Sequence, residues 1–562
     1  MDRIAVHQPS YSMKISNISQ KFPKGKHILK IVLFALNGSY SHTNLAVRAI
    51  GVSLQKAGAE VIIVEKNLKD TRLSVLEELV SHNAEIYGFS TYIWNAKEMF
   101  AFASELKTLL PGALTVFGGP EVSFENEEFF RFHPEADVIL AGEGEEAFVS
   151  LMHSHENGTL KTPCIIMAKP YSRFTEGGIY YDEIGEAPKG LVYYESVRGC
   201  PFSCAYCLSS REEGMRAKTA EKALTDLLAF ERFTEIRTIK LVDRTFNFDR
   251  TRAKKIWSAL SEDIYTKEYH FEVSAALLDE ESFEILARAP KGKFRLEIGV
   301  QSTNPKTVKA VSRALDTEKT LKALERLHEK GNLHIHADLI AGLPYEGYAS
   351  FGKSFDDVYG KGNVLQLGIL KLLRGSRMRR EAEAHGIVYS PNPPYRVLKT
   401  NELSFAELMR LERIDGLNDR FSNSGKFEYT FPYLPKTCPS AFGFFDGLCD
   451  FAEARFGCKE IARLPQTEAF RLLWEYAHFI NETEKTLPLE EICERLALDF
   501  LLGETRRLPL FLHTSTVSDE EKYRALSSVD AKYRAACEAV RFPWLSEKIA
   551  IVDRVRKTVE FY

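Results

Sequence analysis

The sequence of 562 residues has neither a strong excess of one charge nor a long apolar run near its start. Its net charge is −4 and its pI is near 6.4, which gives no case for binding nucleic acid or an anionic membrane. The apolar run at 31–36 is far shorter than the roughly 18 residues that cross a bilayer. Residues 1–10 also lack the apolar stretch of a signal peptide. We therefore expect a cytoplasmic protein that contacts neither membrane nor nucleic acid.

Cysteine is scarce before residue 200 and is then clustered. Only Cys164 precedes this point, whereas Cys200, Cys204 and Cys207 lie within one short loop that a glycine and a proline tighten. No second cysteine or histidine pair of the zinc-binding type follows. A disulfide between such close cysteines is uncommon inside cells, and three structural thiols would rarely cluster by chance. Thiolates at this spacing can hold three corners of a four-iron cluster and leave one iron open.

The C-x3-C-x2-C spacing, with Tyr206 just before the third cysteine, resembles the cluster motif of the radical S-adenosylmethionine (SAM) enzymes. The resemblance implies that Cys200, Cys204 and Cys207 bind a 4Fe–4S cluster. It also implies that SAM chelates the open iron through its amino and carboxylate groups. One electron from the cluster then cleaves SAM to a 5′-deoxyadenosyl radical, which requires an electron donor such as a flavodoxin or ferredoxin.

The length of the chain favours about three domains, and the residue patterns divide it accordingly. We expect an irregular extension at 1–27 and an α/β domain at 28–160, where strands and helices alternate through glycine-rich turns. This alternation predicts an open, parallel, Rossmann-like sheet with ligands at the carboxyl ends of its strands. After a linker at 161–190, about six βα units at 191–375 predict a partial (β/α)6 barrel. Residues 391–562 are predicted to form a mostly helical domain.

Three glycine-rich strand ends, at 89–91, 117–121 and 141–145, resemble the cobalamin-binding domain that precedes many radical SAM barrels. Glycine lets the backbone approach a flat macrocycle where a Cβ would clash. The resemblance implies that these residues line a cobalamin pocket: Ser90, Thr91, Gly118, Gly119, Gly142 and Gly144. No Asp-x-His-x-x-Gly segment occurs, so the lower face of the cobalt would lack its usual histidine. His42, on the first strand-to-helix loop, is a further candidate contact, and a sheet without a cofactor is the alternative.

Polar residues at the barrel strand ends resemble the SAM-binding positions of radical SAM enzymes. Glu297 and Gln301 stand in a Glu-x-Gly-x-Gln-Ser motif and Asp338 in an Asp-Leu-Ile-Ala-Gly-Leu-Pro motif, both similar to those of the coproporphyrinogen-type subgroup. The resemblance implies that they contact the ribose, adenine or methionyl groups. Asp243 stands where the family helps to hold the methionyl amino group, and Ser274 ends another strand. Any one of them alone is equally compatible with a residue that completes a turn.

The segment 371–376 closes the barrel. Arg374 lies where related enzymes reach the substrate or the SAM carboxylate with a basic group, although a solvated arginine cluster is an equal alternative. Beyond it, amphipathic patterns predict helices at 405–413, 442–456, 467–479, 489–502 and 519–542. The three-part order resembles cobalamin-type radical SAM proteins that end in a domain of unknown function.

The leading hypothesis is therefore a radical SAM enzyme that cleaves SAM reductively and uses cobalamin. Methylation of an unidentified small molecule or peptide is favoured over radical rearrangement. One alternative is a cobalamin-independent enzyme, methylthiolating or cyclising, with a vestigial first domain. A methylthiolating enzyme would normally carry three further cysteines near its start and an RNA-binding barrel at its end, and neither is found. The other alternative is a sensor that binds the cofactors without turnover.

Overall fold

A computed structural model describes residues 28–562, apart from 39–41, 127, 212–213, 314–315, 458–460, 485–486, 504–506 and 531. The irregular extension predicted for residues 1–27 lies outside the described residues. Within the described ranges, every helix is too short or too polar to cross a bilayer. The elements form two parallel sheets with flanking helices, followed by a helical region and a small antiparallel sheet.

The first sheet is parallel and has the strand order β2-β1-β3-β4-β5-β6. Its strands are β1 (Lys30–Asn37), β2 (Glu60–Asn67), β3 (Ile86–Ser90), β4 (Leu114–Gly118), β5 (Val138–Ala141) and β6 (Cys164–Met167). The connecting helices are α1 (Leu45–Lys56), α2 (Arg72–Ser81), α3 (Ala96–Leu109), α4 (Phe129–Phe132) and α5 (Gly144–Glu156). β1 is an apolar run buried along its length, as is typical of a parallel strand covered on both faces. The order reverses between β1 and β3, which opens a crevice at the carboxyl edge.

The second sheet is also parallel, with the order β7-β10-β11-β12-β13-β14. Its strands are β7 (Gly190–Tyr194), β10 (Ile236–Leu241), β11 (Glu268–Glu272), β12 (Phe294–Gln301), β13 (His334–Ala341) and β14 (Val364–Ile369). The helices here are α6 (Tyr180–Glu183), which precedes β7, then α7 (Ala220–Ala229), α8 (Arg250–Leu260), α9 (Glu280–Arg288), α10 (Pro305–Ala310), α11 (Thr317–Glu329) and α12 (Tyr348–Val358). Two-residue strands β8 (Val197–Arg198) and β9 (Arg216–Ala217) flank the cysteine loop. This is the six-stranded partial barrel that the sequence predicts.

Burial alternates strictly along β12 and β13. The apolar residues face the helices, and the polar residues, among them Glu297, Gln301 and Asp338, face the interior of the barrel. Several helices of the two sheets begin after a residue whose side chain accepts a backbone N–H of the first turn. The capping residues are Asn44, Thr219, Asp249, Asp279 and Asp316. These caps fix the first turn of each helix.

The C-terminal region is helical and continues the core of the barrel. It contains α13 (Arg377–Arg380), the hairpin β15 (Val388–Tyr389) and β16 (Val397–Lys399), α14 (Phe405–Asn418), α15 (Ala441–Phe456), α16 (Gln466–Glu484), α17 (Leu489–Gly503) and α18 (Asp519–Ser527). Barrel and helices share one apolar cluster, in which Phe355 of α12 packs against Phe442 and Phe445 of α15. The mostly helical character predicted for this region is confirmed.

The helix predicted over 519–542 is wrong beyond residue 527. The chain forms strands β17 (Cys537–Phe542), β18 (Ser546–Asp553) and β19 (Thr558–Phe561), which pair antiparallel. The alanines before Phe542 favour a helix locally, but pairing with β18 buries Val540 and Phe542. Tertiary pairing therefore overrides helix propensity here.

Candidate functional site

The three cysteines lie on a loop at the carboxyl end of the second sheet, after β7 and β8. The N–H of Ala205 donates to the carbonyl of Val311 at 2.9 Å, and the N–H of Met378 donates to the carbonyl of Ala205 at 2.9 Å. Gly199 has a φ of +91°, and a Cβ there would lie 2.6 Å from the carbonyl oxygen of Gly214. Only glycine fits this turn. The loop is thus held by contacts with three separate segments.

The three thiols have different surroundings. Cys204 is buried with its Sγ 3.9 Å from Nη1 of Arg313, whereas Cys200 and Cys207 are partly exposed. Sγ of Cys200 lies 3.5 Å from Oγ1 of Thr245. Burial raises the pKa of the Cys204 thiol, and the Arg313 guanidinium opposes this shift. In the described residues no three His, Cys, Asp or Glu side chains are placed to hold a single ion. A four-iron cube instead needs one thiolate at each of three irons, and these thiols supply that donor set.

Asp243 is fully buried, and the cysteine loop itself uses its carboxylate. Oδ1 accepts the backbone N–H of Ser196 at 2.7 Å and that of Val197 at 2.9 Å, and Oδ2 accepts the Ser196 hydroxyl. Nη2 of Arg252 donates to the same hydroxyl at 2.5 Å. Burial raises the pKa of Asp243, and these hydrogen bonds oppose the shift. The structure thus places Asp243, which the sequence predicts as a SAM contact, at the base of the cysteine loop.

Three of the predicted SAM residues keep buried polar atoms with no hydrogen-bond partner among the described residues. These atoms are Oγ of Ser274, Oε1 of Gln301 and Oδ1 of Asp338. Gln301 also has a φ of +73°, an uncommon conformation for a residue other than glycine. Burial, with the charges of Glu297 and Glu272, raises the pKa of Asp338 to about 7. Unpaired buried polar atoms are costly, so this set of hydroxyl, amide and carboxyl oxygens fits the polar groups of SAM.

Glu297 is already paired inside the barrel. Nζ of Lys240 donates to its Oε2 at 2.9 Å, and Nε2 of His270 lies 3.1 Å from the same oxygen. The hydrogen bond with His270, supported by the Lys240 charge, lowers the pKa of Glu297 to about 2 against the effect of burial. A SAM contact by Glu297 would therefore have to share a carboxylate that two basic side chains occupy.

Arg313 links the cysteine loop to the end of β12. Its Nη1 donates to the Tyr206 hydroxyl at 3.0 Å, and its Nη2 donates to the carbonyl of Gly299. A guanidinium beside Cys204 is placed to receive the carboxylate of a ligand on the open iron. The sequence predictions do not include Arg313, because it follows the short helix α10 instead of a strand. Its only local signal is a basic residue in the loop that follows the Glu-x-Gly-x-Gln-Ser strand.

The predicted cobalamin residues at the ends of β3 and β4 lie together at the carboxyl edge of the first sheet. Nδ2 of Asn44 donates to Oγ of Ser90 at 3.1 Å, and the N–H of Thr91 donates to the carbonyl of Gly118 at 2.7 Å. A Cβ on Gly119 would lie 2.4 Å from the carbonyl oxygen of Thr91, whereas one on Gly118 would meet nothing closer than 3.8 Å. The edge is therefore tightly packed at Gly119 and open at Gly118. A backbone cradle of this kind fits a flat macrocycle.

The glycines after β5 have two different roles. Gly142 has a φ of +110°, and a Cβ there would lie 3.1 Å from the carbonyl oxygen of Ala168, so the turn itself requires glycine. Gly144 begins α5, and a Cβ there would lie 2.7 Å from Cδ1 of Ile50 in α1. Packing between α1 and α5 therefore accounts for Gly144 without a cofactor.

Two basic side chains predicted near the cofactors contact another part of the chain. Nδ1 of His42 forms a hydrogen bond with the hydroxyl of Tyr193 in β7. Nε of Arg374 donates to the hydroxyl of Tyr395 at 2.8 Å and lies 3.3 Å from Oε1 of Glu121. Both contacts join the edge of the first sheet to the barrel or its closing segment.

Arg198, two residues before Cys200, connects the cysteine loop to the turn between β5 and α5. Nη1 donates to Glu143 at 2.5 Å, Nη2 to Glu145 at 2.6 Å and Nε to Glu195 at 3.0 Å. The Arg198 side chain is only 11% exposed. Burial raises the pKa of Glu195 to about 7, although the Arg198 charge opposes the shift. A shared guanidinium therefore holds the two glycine-containing loops together.

Comparisons with known protein families agree with this arrangement. Residues 31–152 match the B12-binding domain, residues 194–358 match the radical SAM superfamily, and residues 383–546 match a protein family of unknown function, DUF4080. The matched ranges contain the glycine-rich edge, the cysteine loop and most of the C-terminal helices, respectively.

Curated relatives match over part of their length. The chain is 26% identical over 322 residues to 2-(S-pantetheinyl)-carbapenam-3-carboxylate methyltransferase of Streptantibioticus cattleyicolor. It is 25% identical over 321 residues to the cobalamin-dependent radical SAM methyltransferase TokK of Streptomyces tokunonensis. Each match covers 51% of this chain and 47% of the relative. The chain therefore spans about half the length of the curated relatives it matches.

Solved structures show the same fold. The cobalamin-dependent SAM radical enzyme OxsB, solved with aqua-cobalamin and SAM, superposes with a TM-score of 0.57 at 16% identity, covering 84% of this chain and 79% of OxsB. The radical SAM methyltransferase TsrM of Kitasatospora setae superposes with a TM-score of 0.52 at 16% identity, covering 65% of this chain and 80% of TsrM.

The fold and the site thus define a radical SAM protein with an N-terminal B12-binding domain. More particularly, it combines these two domains with a C-terminal DUF4080 region, which confirms the resemblance to cobalamin-type radical SAM proteins that end in a domain of unknown function. The cofactors that these domain types imply are a 4Fe–4S cluster, SAM and cobalamin, as the sequence predicts.

Proposed function

We propose that this chain is a cobalamin-dependent radical SAM methyltransferase. The observation that carries the proposal is the link through Arg198, which joins the cysteine loop to the glycine-rich edge of the B12-binding domain. The names of the curated relatives support methyl transfer over rearrangement. A cluster site and a cobalamin site that share one ion network belong to a single reaction centre.

When bound, the three cofactors supply a reducing electron, a radical precursor and a methyl carrier. The chain's own task is to hold and orient them. Cys200, Cys204 and Cys207 are the cluster ligands. Asp243 anchors their loop, so it acts as a positioning residue in this proposal.

The SAM groups face a polar barrel interior. Ser274, Gln301 and Asp338 offer their unpaired oxygens to the ribose and methionyl groups, and Arg313 receives the carboxylate. Glu297 keeps Lys240 and His270 in place deeper in the barrel. The roles of Ser274, Gln301 and Asp338 follow from the oxygens that the chain leaves unpaired, and the role of Arg313 follows from its position beside Cys204.

The cobalamin site lies at the carboxyl edge of the first sheet. Ser90, Thr91, Gly118, Gly119 and Gly142 form its backbone cradle in this proposal. Gly144 lies at the border of this site, where α5 packs against α1. His42 also lies at the border, where it contacts Tyr193.

The substrate in this proposal is a small molecule or peptide with an unactivated carbon or phosphorus that accepts the methyl group. Radical SAM proteins require a reductant, and we assign this role to a flavodoxin or ferredoxin.

Anaerobic reconstitution tests the proposal. The chain is loaded with iron, sulfide and hydroxocobalamin, and metals are quantified before SAM and dithionite are added. We expect about four irons and about one cobalt per chain, followed by release of 5′-deoxyadenosine. Cys204→Ala should abolish this release, and Cys164→Ala, outside the loop, is the matched control that should retain it.

The alternatives give different results. Iron with 5′-deoxyadenosine but without cobalt would replace the proposal by a cobalamin-independent enzyme. Both metals without SAM cleavage would indicate a sensor. Transfer of label from methyl-labelled SAM to cobalamin distinguishes methyl transfer from rearrangement.

A further inference from the structure

A buried contact joins the region of unknown function to the edge of the B12-binding domain. The segment around Tyr395 lies within the DUF4080 match and runs antiparallel to the chain that follows β14. The N–H of Leu372 donates to the carbonyl of Tyr395 at 3.0 Å, and the N–H of Val397 donates to the carbonyl of Leu370 at 2.9 Å. The backbone at Tyr395 is thus fixed to the end of the barrel.

The Tyr395 side chain is held on all sides. Tyr395 is 1% exposed. Its backbone φ of +53° lies in the left-handed region, which is costly for an aromatic residue. Its hydroxyl donates to Oε1 of Glu121 and accepts from Nε of Arg374 at 2.8 Å. The Arg379 guanidinium lies 4.5 Å from its ring centre. A strained backbone kept by surrounding contacts is a common sign of function.

Glu121 ends the glycine-rich turn after β4 and is 6% exposed. Its backbone N–H donates to the carbonyl of Thr91 at 3.4 Å, the same carbonyl against which Gly119 packs. The carboxylate of Glu121 therefore connects Tyr395 to the part of the edge assigned to cobalamin.

A second set of contacts holds the rest of this turn. Nε of Arg379 lies 2.9 Å from Oε2 of Glu125, and the N–H of Gly375 donates to Oε1 of Glu125 at 3.1 Å. Two carboxylates thus meet two guanidiniums with Tyr395 between them. Glu121 is buried, whereas Glu125 is exposed. Charge-assisted contacts of this kind fix the geometry of the groups that they join.

We propose that Tyr395, contributed by the region of unknown function, is a positioning residue for cobalamin. It holds the turn of Gly118, Gly119 and Glu121 in the shape that the macrocycle requires. A turn rich in glycine loses much conformational freedom on binding, and anchoring it in advance removes part of that cost. The inference rests on the proposed cobalamin binding.

Titration of the iron-loaded chain with hydroxocobalamin, followed by absorption, tests this inference. We expect Tyr395→Phe, which removes only the hydroxyl, to raise the Kd about tenfold, because it leaves a buried carboxylate without this donor. The matched control is Tyr389→Phe. Tyr389 also packs against Arg379, but its hydroxyl has no partner within the described ranges. Its Kd should stay within about twofold of the parent chain's.

Glu121→Gln is the conservative variant, and it carries the test alone if Tyr395→Phe fails to fold. It keeps an acceptor for the Tyr395 hydroxyl but loses the charge, so we expect an intermediate Kd. Iron content and the thermal midpoint separate positioning from general destabilisation. If the parent chain binds hydroxocobalamin and both variants bind it equally tightly, only this inference is overturned. If the parent chain binds none, the proposed function fails and the inference fails with it.

Discussion

Asp338 combines burial with an unpaired oxygen, so its protonation state responds to pH. Its pKa is raised to about 7, above the value near 4 of an unfolded chain. The neutral carboxyl contributes to the free energy of unfolding. This contribution is fully present below about pH 4 and is lost as the pH rises through about 7. Asp338→Asn cannot ionise. We predict that its thermal midpoint rises relative to that of the parent chain as the pH is raised from about 5 to 8. A difference that stays constant over this range would contradict the raised pKa.

Asp243 and Asp338 differ in whether the chain itself uses their oxygens. In Asp243→Asn the amide oxygen can still accept the N–H groups of Ser196 and Val197, but the NH2 group replaces the acceptor of the Ser196 hydroxyl and the negative charge is lost. We therefore expect a loosened cysteine loop and lower iron content after reconstitution. Asp338→Asn should keep the iron but bind SAM about tenfold more weakly at about pH 8, where the Asp338 carboxyl is ionised and the variant loses one charged hydrogen bond. Iron analysis and equilibrium dialysis with SAM measure both effects. Equal iron content in the two variants would remove the anchoring role of Asp243.

Pairing is the part of the site that the sequence could not predict. The cysteine spacing and the strand-end motifs are local patterns, and their resemblance to the radical SAM enzymes predicts Ser274, Gln301 and Asp338 as SAM contacts. Asp243, however, is satisfied by Ser196, 47 residues away, and Glu297 by Lys240, 57 residues away. Such partners meet only after the strands have assembled. The local sequence around a strand-end carboxylate therefore does not show whether the carboxylate is free or paired in the fold.

At the scale of elements, the guanidinium of Arg198 joins the cysteine loop to three carboxylates, and that of Arg216 in β9 joins it to Glu143 alone. Arg198→Ala leaves Glu143, Glu145 and Glu195 without their shared cation, and breaking a buried ion pair in this way costs about 3–5 kcal/mol. We predict a thermal midpoint several degrees lower, measured by circular dichroism. Arg198→Lys keeps the charge but not the forked geometry, so it should lie between the parent chain and Arg198→Ala.

Arg326→Ala is the control for Arg198. It breaks a solvent-exposed pair with Glu280, and such pairs contribute little to stability. We expect its midpoint to stay within about 1 °C of the parent chain's. A similar drop in the thermal midpoint for Arg326→Ala and Arg198→Ala would show that the link between the two loops contributes no more to stability than an exposed ion pair.

The order of elements was predictable where neighbouring elements are also neighbours in the chain. Apolar runs followed by helical periodicity identify the βα units, because each unit packs against the sheet that it helps to build. The C-terminal strands are different. Alanines at 535, 536 and 539 favour a helix, and the strand character of β17 comes from pairing with β18 and from burying Phe542. No local pattern carries that information.

At the scale of the whole molecule, the C-terminal helices are part of the barrel's core. α12 and α15 meet at Phe355, Phe442 and Phe445, and the hydroxyl of Tyr348 donates to Asp446 at 2.6 Å. This contact keeps α15 on the barrel, and α13 with the hairpin β15–β16 lies between them in the chain. Val397, two residues after Tyr395, is buried in the same apolar cluster. We infer that this core supports the Tyr395 segment, which in turn holds the edge of the B12-binding domain.

Gly352 tests that bracing directly. A Cβ at this position in α12 would lie 2.6 Å from the ring of Phe442, so Gly352→Ala should push α15 away and cost about 1–3 kcal/mol. Gly416→Ala, in α14, is the matched control, because a Cβ there meets nothing within 4 Å. That substitution should be neutral or stabilising, by up to about 1 kcal/mol. If the packing of α15 on the barrel also supports the B12-binding edge, Gly352→Ala should lower both the thermal midpoint and the affinity for hydroxocobalamin. Gly416→Ala should then lower neither. A lower midpoint with unchanged affinity would confine the role of α15 to stability.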